Sequence, residues 1–191
     1  MTPTHPRGDG VDLAAIDHQL DEARATCRVV IECSKGSRTK YTWDHEISAF
    51  ELSGMLPAGM SFPLDFGMVP STLADDGDPI DILVIGDEPA IVGCVVDVRI
   101  LGVIKANQTE RGCTYRNDRL VGRIALAVSY EHAEHIDDLG APFVDHVGRW
   151  FTNYNALKNK GFDVLEVGDA SEAVRLIAAA SDVYAARRPK R

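Results

Sequence analysis

The chain has 191 residues and a formal net charge of −9, with 29 acidic side chains against 20 basic, 45% apolar and 26% charged residues. That length suits one domain with a short appendage and a core burying roughly 70% of the unfolded chain's surface. The composition excludes collagen, coiled coil and wholesale disorder, and the acidic balance argues against binding a nucleic acid through bulk electrostatics.

No apolar run approaches the ~20 residues that cross a bilayer, so no membrane partner is expected. The opening MTPTHPRGDG lacks the apolar core of a secretory signal. The four cysteines (Cys27, Cys33, Cys94, Cys113) show neither a CxxC pair nor a metal-ligand spacing. A cytoplasmic protein with reduced thiols is the expectation.

In chain order, Leu13, Ile16, Leu20 and Ala23 recur at helical spacing and predict a short amphipathic helix over residues 11–25. The β-branched run Cys27–Ile31 ends in Glu32, KGSR (35–38) reads as a turn, and TKYTW (39–43) as the returning strand of a hairpin. Strand-like pieces follow at Ala49–Leu52 and Met60–Phe66. Ile80–Ile85 is a compact apolar strand, GDEP a turn, and Val92–Val103 and Leu120–Val128 are further strands. Val144, Val147, Phe151, Tyr154 and Leu157 form one stripe of a helix starting near Pro142. A strand at Phe162–Val167 precedes a last helix, whose start carries Asp169 and Glu172 at capping-box spacing. Many short strands followed by helices predict an α+β fold, a small antiparallel barrel with C-terminal helices packed against it. Residues 1–25 then form an N-terminal extension and 26–191 one domain.

The chemistry concentrates in DDGDPIDILV (75–84), where four carboxylates fall within seven residues. Like charges packed so closely are unfavourable unless something neutralises them. Asp81 sits inside an apolar run, where an unpaired carboxylate is costly. Gly77 and Pro79 set a tight backbone course that can make Asp76, Asp78 and Asp81 converge. Hard oxygen ligands on a rigid turn suit Mg2+. A calcium EF-hand loop is excluded, because counting from Asp76 the required Gly and Glu positions hold Asp81 and Asp87.

DGDPIDILV resembles the signature of family I soluble inorganic pyrophosphatases, three spaced aspartates and a proline entering a strand. The similarity runs from about Val29 to Lys160. VVIE with KY (40–41) resembles the family's opening hairpin, and FPLDFGMVPSTLADDGDP its approach to the signature. LGVIKA and NDRLVGRI resemble its later strands, and WFTNYNALKNKG its active-site helix.

The resemblance implies an OB-like barrel and Mg2+-dependent hydrolysis of pyrophosphate, with Mn2+ as the alternative ion. It makes Asp76 and Asp81 metal ligands, Asp78 the proton acceptor from an attacking water, and Glu32 an outer metal or water ligand. Lys40, Arg119 and Tyr154 hold phosphate oxygens. Asp118 is taken as a further metal ligand, although a gapless match puts Asn117 there. The family also implies a homo-oligomer.

The phosphate-holding rim departs from the pattern. A family glutamate is Thr42, an arginine aligns with Gly54, two tyrosines are Phe62 and Phe66, an asparagine is Asp65 and a lysine is Asn155. Gln108 takes an acidic position, with Glu110 nearby. Asp65 is expected to recruit an additional cation. Two alternatives stay open: a hydrolase of a larger phosphoanhydride, and a catalytically silent metal- or anion-binding relative. His132 and His135 form an HxxH pair read as a surface segment, since no third ligand accompanies it.

Overall fold

The computed structural model describes residues 11–187. Nine strands, two α-helices and two short 3-10 turns make a mostly-sheet α+β fold among the described residues. The strands are β1 (Thr26–Cys33), β2 (Thr39–Asp44), β3 (Ala49–Met55), β4 (Asp65–Val69), β5 (Ile80–Ile85), β6 (Val95–Glu110), β7 (Cys113–Arg116), β8 (Arg119–Ile124) and β9 (Lys160–Asp169). The helices are α1 (Phe143–Ala156) and α2 (Ala170–Arg187).

The large sheet runs β1-β4-β5-β8-β6-β7, with β9 paired to β6. β1 also pairs antiparallel with β6, so the hydrogen bonding returns from β6 to its starting strand. One pair departs from the antiparallel expectation: β5 and β8 run parallel.

Both faces of the sheet are covered. Val29, Ile82, Val84, Ile100 and Leu120 pack with Val174 and Ile177 of α2. Leu83, Ile85, Leu101 and Val121, pointing the other way, pack with Val147 and Phe151 of α1 and with Phe162. Alternate residues of β5 therefore enter different cores, which is why its sequence reads as a continuous apolar run.

Residues 11–25 do not form the expected helix. Only a three-residue 3-10 turn, Leu13–Ala15, appears there. Asp12, Asp17 and Asp21 each accept a backbone N–H two or three residues ahead, from Ala14, Gln19 and Arg24. These local bonds compete with helix formation. Gln19 and Ala25, at φ 46° and 47°, bend the chain instead. The segment becomes an arm whose Leu13, Ala14 and Ile16 pack against Val30, Trp43 and Met68.

The strand at 39–43 exists but does not return along β1; β2 pairs with β3 in a separate two-stranded sheet. Lys35 N–H donates to Asp65, Gly36 N–H to the Phe62 carbonyl and Phe62 N–H to the Ser37 carbonyl. These ties turn residues 35–37 away from β1. They also keep Met60–Leu64 out of the strand expected there, and β4 begins at Asp65. β8 stops at Ile124, short of Val128, because Asp87 takes the Val128 and Ser129 N–H groups into a loop.

The long β6 bends at a bulge between Ile100 and Gly102. Gly102 has φ +155°, and a Cβ there would lie 2.4 Å from the Gly168 carbonyl oxygen and 2.9 Å from Ile136 Cδ1. Backbone, not a pliable side chain, bars the substitution. Gly102→Ala is expected to cost about 2–3 kcal/mol, the range of overpacking combined with backbone strain. Chemical denaturation measures it; a change below about 0.5 kcal/mol would mean that β6 and β9 separate freely.

Candidate active site

The acidic loop is pinned at both ends before it meets the cleft. Thr72 donates its hydroxyl to the Val69 carbonyl at 2.6 Å and accepts the Ile80 N–H at 3.0 Å. Within the loop, Ala74 N–H donates to the Asp78 carbonyl and Gly77 N–H to the Ala74 carbonyl. Gly77 takes φ +93°, a conformation that costs most side chains energy. Asp76 accepts the Asp78 N–H at 3.2 Å. The backbone course inferred from Gly77 and Pro79 is thus present, and the β5 strand that follows carries Asp81 one residue past its start.

A cleft of about 400 Å3 opens beside this loop. Glu32 from β1, Lys40 and Thr42 from β2, Asp76, Asp78 and Asp81, Arg119 from β8 and Tyr154 from α1 all line it. Seven of the eight residues singled out from the sequence therefore meet in one place. Asp118 does not. Its carboxylate takes an ion pair from Arg116 at 2.6 Å and the Ala106 N–H at 3.0 Å. It lines a separate apolar pocket behind the loop, against Leu176 and Val183 of α2. Asn117 and Asp118 form the link between β7 and β8; Asn117 lines the cleft, while the bonds to Arg116 and to the Ala106 N–H hold the Asp118 carboxylate away from it.

Asp81 and Arg119 form the centre, with Nη1 to Oδ2 at 2.7 Å and the arginine side chain only 7% exposed. Arg119 also donates to the Asn117 side chain and to the Asp118 carbonyl. Its guanidinium carbon lies 5.8, 5.2 and 5.9 Å from the ring centroids of Phe66, Phe151 and Phe162. Burial raises the Asp81 carboxyl pKa against the pull of Arg119 and Lys40. Burial, then the charge of Asp81, pushes Glu32 up to about 8. Asp78 is raised by loss of water and by Asp76. The carboxylates thus hold one another, and themselves, toward the protonated form.

Tyr115, His45 and Lys158 line the cleft without having been singled out, beside Gln108, Asn117 and Asn155, which the family pattern had marked. Gln108 and Tyr115, on paired strands β6 and β7, bond to each other, and Asn117 donates to Gln108 at 3.0 Å. His45, in the turn after β2, lines the cleft too. Lys158 covers the Tyr154 ring at 4.2 Å and bonds its hydroxyl, while Tyr154 stacks on Trp150. Asn155 is buried and donates to the Phe151 carbonyl.

Asp65 is buried at 1% exposure, does not line the cleft, and accepts the Lys35 and Ala90 N–H groups at 2.6 and 2.9 Å. It ties two loops together, and the additional cation expected there has no place. Glu110 is likewise outside the cleft, paired with Lys160 at 2.7 Å. His135 caps the 3-10 turn Ile136–Leu139, and Asp138 accepts the Glu134 and His135 N–H groups. Among the described residues no three His, Cys, Asp or Glu side chains converge closely enough to hold an ion as they stand. All four cysteines are free, and no helix among the described residues is long and apolar enough to cross a membrane.

The family model described as inorganic pyrophosphatase matches residues 29–185. An inorganic pyrophosphatase of Corynebacterium glutamicum is 37% identical over 159 residues, covering 83% of this chain and 98% of that protein. One from a Synechocystis strain is 32% identical over 149 residues, covering 78% and 86%. The crystal structure of the Thermus thermophilus inorganic pyrophosphatase superposes with a TM-score of 0.84 at 30% identity, over 92% of this chain and 99% of that one. The family model takes in the acidic loop and α1, and the chain belongs to the inorganic pyrophosphatase family.

Proposed function

We propose that this protein hydrolyses inorganic pyrophosphate to two phosphates with Mg2+ as cofactor. The observation that carries the reading is the gathering of Glu32, Asp76, Asp78 and Asp81 along one cleft with Lys40, Arg119 and Tyr154. The donor set fits a hard divalent cation: these are carboxylates, and their mutual field is the kind that a cation relieves. Asp76 and Asp81 would hold the metal, with Glu32 behind them ordering water or a further ion. When bound, the metal would supply charge neutralisation on the phosphates and acidify the attacking water.

The remaining steps belong to the side chains. Asp78 accepts the proton as the water oxygen bonds to phosphorus and the bridging P–O bond breaks. Its raised pKa suits a proton acceptor, since the group gains affinity for the proton it takes. Arg119, fixed against three rings, offers its guanidinium to phosphate oxygens while steadying Asp81. Lys40 and Tyr154 approach from the hairpin and from α1. The circuit of pairings through β1, β4, β5, β8 and β6 supports reading the sheet as an OB-like barrel, with residues 26–191 as one domain. A homo-oligomer acting in the cytoplasm belongs to the same proposal and rests on the family resemblance.

Phosphate release from pyrophosphate, followed across a Mg2+ titration, tests the reading. Rapid metal-dependent release by the wild type, reduced about 10²- to 10⁴-fold by Asp78→Asn, is the expected result. A folded wild type that releases no phosphate at any Mg2+ concentration would overturn it.

The raised carboxyl groups also set a pH dependence. A folded-state pKa above its unfolded value means the folded protein binds the extra proton. For Glu32 that stabilisation is full below about 4.5 and is lost as pH rises toward about 8. In chelator, the thermal midpoint should therefore fall across that window, and Glu32→Gln should flatten the fall. Mg2+ should raise the midpoint more at the alkaline end, because ligands are already deprotonated there. An identical slope in wild type and Glu32→Gln would show that Glu32 ionises as it does in water.

A further inference from the structure

Five basic side chains line the cleft: Lys40, His45, Arg119, Lys158 and Lys160. Three are already engaged. Arg119 is bonded to Asp81, Lys158 to the Tyr154 hydroxyl and Lys160 to Glu110. The other two, Lys40 and His45, come from the hairpin segment that overhangs the acidic loop. The facing strand gives no charge there, since the residue paired with Lys40 is Gly54.

His45 is not left loose. Asp12, in the N-terminal arm, uses Oδ1 twice, accepting the Trp43 indole N–H at 2.8 Å and the Ala14 N–H at 3.1 Å. That leaves Oδ2, which lies 3.3 Å from His45 Nδ1. A carboxylate can only accept, so Nδ1 is the donor and the opposite ring nitrogen, Nε2, is left for the cleft. Trp43 is 9% exposed and packs edge-on against Phe50 at 5.2 Å between centroids, so the anchor under Asp12 is part of a core. Ala14, two residues on, lines the cleft itself. Asp12 and Ala14 precede residue 29, where the family model begins to match.

We propose that His45 is a substrate-binding residue at the outer rim of the cleft, and that Asp12 of the N-terminal arm is its positioning residue. When both ring nitrogens carry a proton, His45 donates from Nδ1 to the Asp12 carboxylate and from Nε2 to a phosphate oxygen of the anionic substrate. A bond between two charged groups is short and strong, and a side chain already held loses little freedom in making it. The arm is thereby part of the binding site and not merely packed against it. The inference rests on the pyrophosphatase reading.

Steady-state kinetics of the full-length protein on magnesium pyrophosphate test it, with the wild type beside His45→Ala, His45→Lys and Asp12→Asn. His45→Ala is expected to raise KM about tenfold while kcat falls less than twofold, the size of one charge-assisted hydrogen bond at an exposed rim. His45→Lys should recover part of that loss. Asp12→Asn keeps an oxygen for Trp43 but replaces the acceptor facing His45 with a donor. It should raise KM several-fold with an unchanged melting temperature. An active wild type whose KM is unmoved in His45→Ala overturns the inference while leaving the pyrophosphatase reading standing. A KM rise in Asp12→Asn that tracks a drop in melting temperature would make Asp12 a folding residue and overturn its positioning role. A wild type with no turnover defeats the pyrophosphatase reading itself, and the inference with it.

Discussion

Asp81 lies in a strand whose other five residues are buried, and its carboxylate must be kept there without losing the fold. A charge removed from water costs several kcal/mol unless it is paired and hydrogen-bonded. Arg119 answers it from the neighbouring parallel strand, one residue before the register in which Ile82 faces Leu120. That arginine is itself nearly buried, so it needs surroundings of its own. Phe66 from β4, Phe151 from α1 and Phe162 from β9 supply them through the negative faces of their rings. The packing of α1 and β9 on the sheet thereby also serves this one carboxylate. The same contacts that seal the second core also aim the guanidinium at the cleft.

This constraint explains why some features were legible in the sequence and others were not. The loop DDGDPID announced itself because four like charges on a Gly-Pro course are hard to explain otherwise, and Gly77 does take the positive φ that such a course needs. β5 and α1 were legible because their patterns are set by burial within one element: a continuous apolar run, and a stripe that includes Val147, Phe151 and Tyr154. Pairing across the chain was not. Nothing within 26–43 says that β2 will leave β1 for β3, since the decision is made by Asp65 and Phe62 bonding to residues 35–37. Asp118 was misplaced for a related reason. Its neighbour Asn117 has the weaker ligand chemistry, yet in the link between β7 and β8 it is Asn117 that lines the cleft, while Arg116 and the Ala106 N–H hold Asp118.

The N-terminal arm shows local chemistry overriding periodicity. Leu13, Ile16 and Leu20 have helical spacing, but three aspartates among them each satisfy a backbone N–H close by. A helix would have to give up those bonds, and a segment this short has little cooperative gain to offer in return. The apolar residues then act one at a time, Leu13 and Ile16 against the Trp43 cluster and Leu20 against the core that α2 covers. An extended arm reaches farther than a helix of the same length, about 3.3 Å per residue against 1.5 Å. That reach is what lets Asp12 touch the hairpin while Thr26 joins the sheet.

The altered rim follows from the same economy of charge. Phenylalanines at 62 and 66 place no hydroxyl toward substrate, but they complete an aromatic wall running through Trp150 and Phe151 to Phe162. An arginine set among such rings is less mobile than one in water, and its planar fork is held ready for a phosphate. Fixing Arg119 this way commits it to Asp81, and it cannot also serve the outer part of the cleft. Charge for that outer part has to come from elements that the aromatic wall does not immobilise. The hairpin is such an element: it forms a sheet separate from the large one and brings Lys40 and His45 over the acidic loop. Its seat is built from the arm, through Trp43, Ala14 and Asp12, so residues well before the acidic loop help to set the electrostatics of the cleft.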